Sequence, residues 1–189
     1  MTAAQLRLTS QPPSMPYPPL HADTPTVKLW QLVRDDTVHL ILRESSLLEL
    51  ARRRDPELLP FCEKILLVSG DTDEWLIGCK TIAAIGTRNA IDKLIMLYAR
   101  SISDNRRFII NIVAQILTVE HVRPFSIMAR ELTVVGELDI SGWTKTAIAT
   151  LQDVCKRQNI EVVFSGSKNY GDALDPSHDY EFLPEGIKK

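Results

Sequence analysis

No apolar run in the chain approaches the roughly 18 residues that a membrane-spanning helix needs, which argues against a transmembrane protein. The first residues also lack the charged region, apolar core and small-residue cleavage site of a signal peptide. Cysteine is scarce: Cys62, Cys79 and Cys155 are odd in number, widely spaced, and each sits inside an apolar stretch. A secreted disulfide framework wants more cysteines in even number, so buried free thiols in a reducing, cytoplasmic setting are expected. Excess positive charge is lacking too. A formal net charge of -2 removes the electrostatic footprint of a phosphate binder and argues against nucleic acid as the partner, although a local basic patch survives such averaging.

The motifs of chemistry are equally sparse. There is no HExxH or CxxC, no GxxxxGK[ST] or GxGxxG phosphate loop, and no GxSxG elbow. His21, His39, His121 and His178 each stand without a second ligand at metal spacing. His121, beside Glu120, reads as a charge complementing a helix C-terminus. Asp71, Asp73 and Glu74 are acidic neighbours, but a helix start needs these residue types at these positions. The segment Gly166 to Gly171, GSKNYG, follows an apolar run without a helix start behind it, and reads as a solvated loop. No catalytic residue, metal ligand or cofactor is assigned.

What is present is an ordinary globular composition, 44% hydrophobic and 24% charged, over a length suited to one domain plus tails. Residues 1–26 carry Pro12, Pro13, Pro16, Pro18, Pro19 and Pro25 and read as a disordered tail, since proline removes backbone donors. Within it Pro12 to Leu20, PPSMPYPPL, has the form of a ligand for an aromatic groove. From Val27 to Arg43 apolar residues come close to alternating on both sides of Arg34-Asp35-Asp36, which fits a small β-hairpin; a helix fits the same residues.

A single mainly helical domain is expected over 27–164, with a flexible tail over 165–189. Ser45-Ser46 reads as a helix cap, and Leu58 to Val68 as an apolar stripe at helical spacing after Asp55-Pro56. Asp71 to Asp73 opens an amphipathic helix that Gly86 closes, and a short link precedes a second helix from Ala90 to Tyr98. Ser103-Asp104 caps a third, Pro124 opens a fourth, and Ser141 caps a fifth that ends near Asn159. Asp73, Asp104 and Ser141 stand 31 and 37 residues apart, a loose repeat of the kind helical-hairpin solenoids show.

The stretch Thr72 to Arg100, TDEWLIGCKTIAAIGTRNAIDKLIMLYAR, resembles a HEAT-type helical repeat, a superfamily that includes the repeats of phycobilisome bilin lyases. Its acidic start, its close at Ile82 to Gly86 and its Leu-rich second helix carry the resemblance, while EWLI at Glu74 to Ile77 stands where such units often have proline and arginine. The resemblance implies a mainly α fold, a short stack of antiparallel helical hairpins forming an α-solenoid. An ordinary helical bundle gives much the same pattern. An α+β domain is the alternative, because Leu132 to Val135 and Ile160 to Phe164 flank a helix and suit parallel strands of one small sheet.

The expected function is a non-catalytic protein–protein interaction module, an adaptor, scaffold or regulatory subunit, with a protein partner and with homodimerisation left open. Two arginine groups, Arg52, Arg53 and Arg54, and Arg100, Arg106 and Arg107, form the candidate interaction surface if stacked hairpins bring them to one rim. An accessory factor acting on a protein-bound chromophore is the alternative that the resemblance implies. A nucleic-acid adaptor using the same arginines is a further one.

Overall fold

Amphipathic periodicity decides most of this chain: the protein is mainly helical, with eight α-helices among the described residues. The computed structural model describes residues 5–9, 21–132 and 137–164. The chain divides into two compact units, residues 15–97, and residues 1–14 together with 98–189, with the boundary inside one helix. Within the second unit, strand β1 (Gln5–Thr9) comes first in the chain. It falls where the sequence predicts a disordered tail, and it is the central strand of a three-stranded sheet. The Pro12 to Leu20 segment and residues 165–189 lie outside the described residues.

In the 15–97 unit, α1 (Thr26–Arg34) and α2 (Leu40–Arg52) replace the expected β-hairpin. Leu29, Trp30 and Val33 are the buried positions of α1, a one-and-four spacing that only a helix turns to one side. The near-alternation that suggested strands includes Val27, which is exposed and contributes nothing to a core. The polar link is as expected, and Asp35 accepts hydrogen bonds there from the backbone and hydroxyl of Thr37. Ser45 and Ser46 do not cap: both lie inside α2, and their hydroxyls donate to the carbonyl of Leu42. His39 is the cap instead, its ring nitrogen accepting from the backbone of Ile41.

A short helix α3 (Leu58–Phe61) leads into a π-helical turn, Cys62–Leu66, and then α4 (Thr72–Ile85) begins at the Asp71 cap. Asp71 accepts from the backbone of Asp73 and Glu74, and Gly86 closes the helix at φ 63. This matches the sequence reading. α4 packs on the π-turn so closely that Gly78 must be glycine, since a Cβ there would stand 2.9 Å from that of Leu66. After the two-residue turn Gly86-Thr87, α5 (Arg88–Arg100) buries Ala90, Ile91 and Leu94. Arg43 staples this unit: nearly buried, its Nε donates to the Val33 carbonyl and its NH2 meets Glu74 at 2.9 Å, so one side chain joins α1, α2 and α4.

In the other unit, α6 (Ser103–Gln115) is followed by a 3-10 turn, Val119–His121, then by α7 (Val122–Leu132), with Pro124 in the first turn of the latter. The side chains of Ser103 and Asp104 lie outside the described residues. Strand β2 (Glu137–Asp139), α8 (Lys145–Arg157) and strand β3 (Glu161–Phe164) complete it. The strand order is β2-β1-β3, and both outer strands run parallel to β1, with Leu8 opposite Leu138 and Phe164. Parallel strands need crossovers: α8 connects β2 to β3, and the chain from α1 to α7 connects β1 to β2.

The α+β alternative therefore anticipated one strand, β3. The other lies beyond Leu132, which is the last residue of α7, and residues 133–136 are outside the described set. Ser141 is not the cap of α8; it bonds to Asp139, and Thr144 takes the role by accepting from the backbone of Ala147. The helix ends on Asn159 in the left-handed region, with the Ile160 amide returned to the Cys155 carbonyl. Phe125 and Trp143, both buried, meet edge to face at 5.9 Å and anchor the core together with Ile109, Val113, Met128 and Leu151.

Candidate functional site

The first arginine group sits at the end of α2, where two of its members are bound up in structure. Glu49 is buried and accepts from Arg52 through both oxygens, at 2.6 and 2.7 Å, while Arg53 Nε reaches the Oε1 of the same carboxylate at 2.7 Å. The hydrogen bonds from Arg52, and after them those from Arg53, outweigh burial and hold the Glu49 carboxyl down at about 2. Arg53 goes on to donate to Thr26 and to the carbonyls of His21 and Ala22, tying the entry of α1 to the end of α2. Arg54 is exposed and takes φ 56, with its own amide on Ala51 and the Asp55 amide on Leu50, the left-handed closing position of a helix.

The second group belongs to the other unit. Arg106 pairs with Glu131 at 3.1 Å and lies over the Tyr98 ring, while the Tyr98 hydroxyl donates to Glu131 at 2.6 Å. Burial first, and the bond to Glu131 after it, raise the Tyr98 pKa. Arg100 and Arg107 are exposed at the end of α5 and on α6. Each group is thus placed within its own unit, and Arg52, Arg53 and Arg106 spend their charge on local carboxylates.

His121 is buried, in the 3-10 turn just before α7. It stands at a helix start, which overturns its reading as a C-terminal charge, and its Nδ1 lies 2.6 Å from the Thr118 hydroxyl. All three cysteines are free and buried. Burial pushes Cys62 and Cys79 up to about 12 and Cys155 up to about 11, so none is an activated nucleophile. Among the described residues no group of three or more His, Cys, Asp or Glu side chains is arranged to hold a metal ion. Among the described residues no helix is long and apolar enough to cross a membrane.

The concave feature that sequence reasoning missed lies between α7 and α8. It is an open groove of about 770 Å³, lined by Val122, Arg123, Ser126 and Arg130 from α7 and by Thr146, Ala149, Thr150, Asp153, Val154, Arg157 and Gln158 from α8. The lining follows helical spacing on the side of each helix next to its core stripe. Ser126, Ala149 and Thr150 are small, which leaves space between the two helices. The Thr150 and Ser126 hydroxyls donate back to the carbonyls of Thr146 and Arg123, so the floor is polar yet locally satisfied.

Charge sits on the walls: Arg123, Arg130 and Arg157 line the groove together with Asp153, which Arg157 engages through Nε and NH2. Such a lining can hold an anionic group by bidentate hydrogen bonds. A smaller groove of about 510 Å³ in the 15–97 unit runs beside Trp30. There Arg34 already stacks on the indole and pairs with Glu57, and the indole N–H donates to Asp55.

The sequence signal for the larger groove is the three-and-four spacing of Arg123, Ser126 and Arg130 set against that of Thr146, Ala149, Thr150 and Asp153. Each reads alone as a solvated helix face. No family model, no curated protein and no solved structure matches the chain.

Proposed function

We propose that this chain is a non-catalytic protein-interaction module, an adaptor or regulatory subunit, whose contact surface includes the α7/α8 groove. The observation that carries the reading is the groove's lining: a concave floor of small residues under arginine walls, with no activated acid, base or nucleophile beside it. Arginine is favoured at protein contacts because its planar fork binds carboxylates in pairs and its stem covers apolar surface. Consecutive helices packed on each other, α1 on α2 in one unit and α6 on α7 in the other, are helical hairpins of the HEAT-like kind in this reading.

The test is capture of partners by the tagged full chain and by an Arg123→Glu, Arg130→Glu variant, in cells that naturally contain the protein. A stoichiometric protein retained by the natural chain and lost by the variant is the expected result, with circular dichroism showing the variant folded. A partner held equally by both would remove the groove from the function. Recovery of a small molecule or a nucleic acid in place of a protein would overturn the module reading.

A further inference from the structure

We propose that the outward side of α2 is a homodimer surface, on which a second copy of the chain lays its own α2 antiparallel about a two-fold axis at Ser45. The surface belongs wholly to the 15–97 unit and is independent of the α7/α8 groove. Helix α2 carries apolar residues on two sides. Leu47, Leu50 and Ala51 are buried, while Ile41, Leu42 and Leu48 are 62%, 41% and 40% exposed. A single exposed aliphatic side chain is ordinary, but a surface helix normally turns polar residues outward, and one that is apolar on both sides is built to be covered twice.

Spacing names the occupant. Ile41, Ser45 and Leu48 follow one another at four and three residues and so form one line along the helix, a small side chain between two large ones. A second α2 running the opposite way sets Ile41 of each copy against Leu48 of the other. It also brings the two Ser45 residues together, where their small size lets the helix axes approach. The Ser45 hydroxyl already donates to the Leu42 carbonyl, so covering it leaves no donor unsatisfied.

Charge complementarity fixes the direction. Asp36 lies nine residues before Ser45 and Arg54 nine residues after it, so the same axis carries each Asp36 toward the Arg54 of the other copy. Both side chains are exposed. Arg43 approaches Asp36 at 3.8 Å but makes its close ion pair with Glu74 at 2.9 Å, and Arg54 pairs with no carboxylate among the described residues. Arg52 and Asp35 do not enter, because Glu49 holds the one and Thr37 bonds to the other. A parallel pair would set Asp36 against Asp36 and Arg54 against Arg54, a juxtaposition of like charges that selects against it. One helix from each copy makes a contact below roughly 1,200 Å², so the dimer is reversible, with a Kd on the order of 10 μM.

Sedimentation equilibrium of the full chain from about 1 to about 300 μM brackets that Kd. Expected is a monomer–dimer equilibrium, weakened at least tenfold by Ile41→Glu combined with Leu48→Glu, with circular dichroism showing the variant folded. Asp36→Arg and Arg54→Asp each set like charges together at both ends and should each weaken the dimer about fivefold. Both in one chain should restore it, which a local effect on folding would not do.

Ser45→Cys should give a disulfide-linked dimer under oxidised glutathione, because two cysteines at the axis come within the roughly 7 Å Cα separation that a disulfide spans, and the native thiols are buried. Met96→Cys, exposed but on α5, should not link. A monomer throughout the range, a dimer untouched by the Ile41 and Leu48 substitutions, a double swap no better than its parts, or Ser45→Cys dimers that fail to link would each overturn the proposal. None of these results alters the reading of the α7/α8 groove, which partner capture tests separately.

Discussion

Arg53 is anchored by Glu49 one helical turn before it, Nε to Oε1 at 2.7 Å, and through that anchor α2 holds the residues that lead into α1. Glu49→Gln keeps the shape and removes the charge. We expect it to lower the stability of the protein by about 2 kcal/mol, the scale of lost charge-assisted hydrogen bonds at a buried site, as measured by urea unfolding. The pH dependence has a definite sign. The folded carboxyl titrates at about 2 against an ordinary 4.5, so its contribution is complete above about pH 4.5 and is lost as pH falls toward 2. The Gln variant should lack that part of the acid destabilisation; an unchanged acid profile would show that the pair contributes nothing.

Gly78→Ala should destabilise the protein by about 1–3 kcal/mol, because the added methyl meets the Cβ of Leu66 at 2.9 Å and Leu67 Cδ2 at 3.2 Å. The cost arises where α4 rests on the π-turn and has no relation to helix propensity, which favours alanine. Thermal unfolding of the variant decides it: a rise in Tm would mean that the π-turn yields.

Arg54→Gly should stabilise by about 1 kcal/mol, since a non-glycine residue pays to hold φ 56 at the close of α2. The same variant probes its candidate role. Partner binding that falls while Tm rises assigns Arg54 to the surface, and binding that does not change confines it to the helix end.

The three thiols should react slowly with a disulfide reagent at pH 8, because burial keeps them protonated and covered. Reaction should become fast only at denaturant concentrations that unfold the chain. A rapid stoichiometric thiol in native buffer would show that one of Cys62, Cys79 or Cys155 opens locally.

Helix α4 was legible because caps and periodicity agree there: Asp71 before, Gly86 after, and Trp75, Cys79 and Ile82 between. Val27 to Arg43 misled, since two short helices around an Asp-Asp turn leave apolar positions that imitate a hairpin. Strand β1 was hidden for a different reason. QLRLT alternates cleanly, but five residues beside a run of prolines carry little weight, and their partners lie far along the sequence. The arginine groups were visible as charge, yet only spatial neighbours such as Glu49 and Glu131 reveal where that charge is spent. The groove could not be read at all from one helix, because its walls come from two.

The central strand of the sheet is made before residues 15–97, whereas both strands that flank it follow only after α7. Residues 15–97 can emerge and collapse as a continuous unit while β1, already clear of the ribosome, keeps its amides and carbonyls unpaired. Closing that long loop is the slow step that topology imposes, and a chaperone or a stray strand that captures residues 5–9 in the interval would arrest one unit and spare the other.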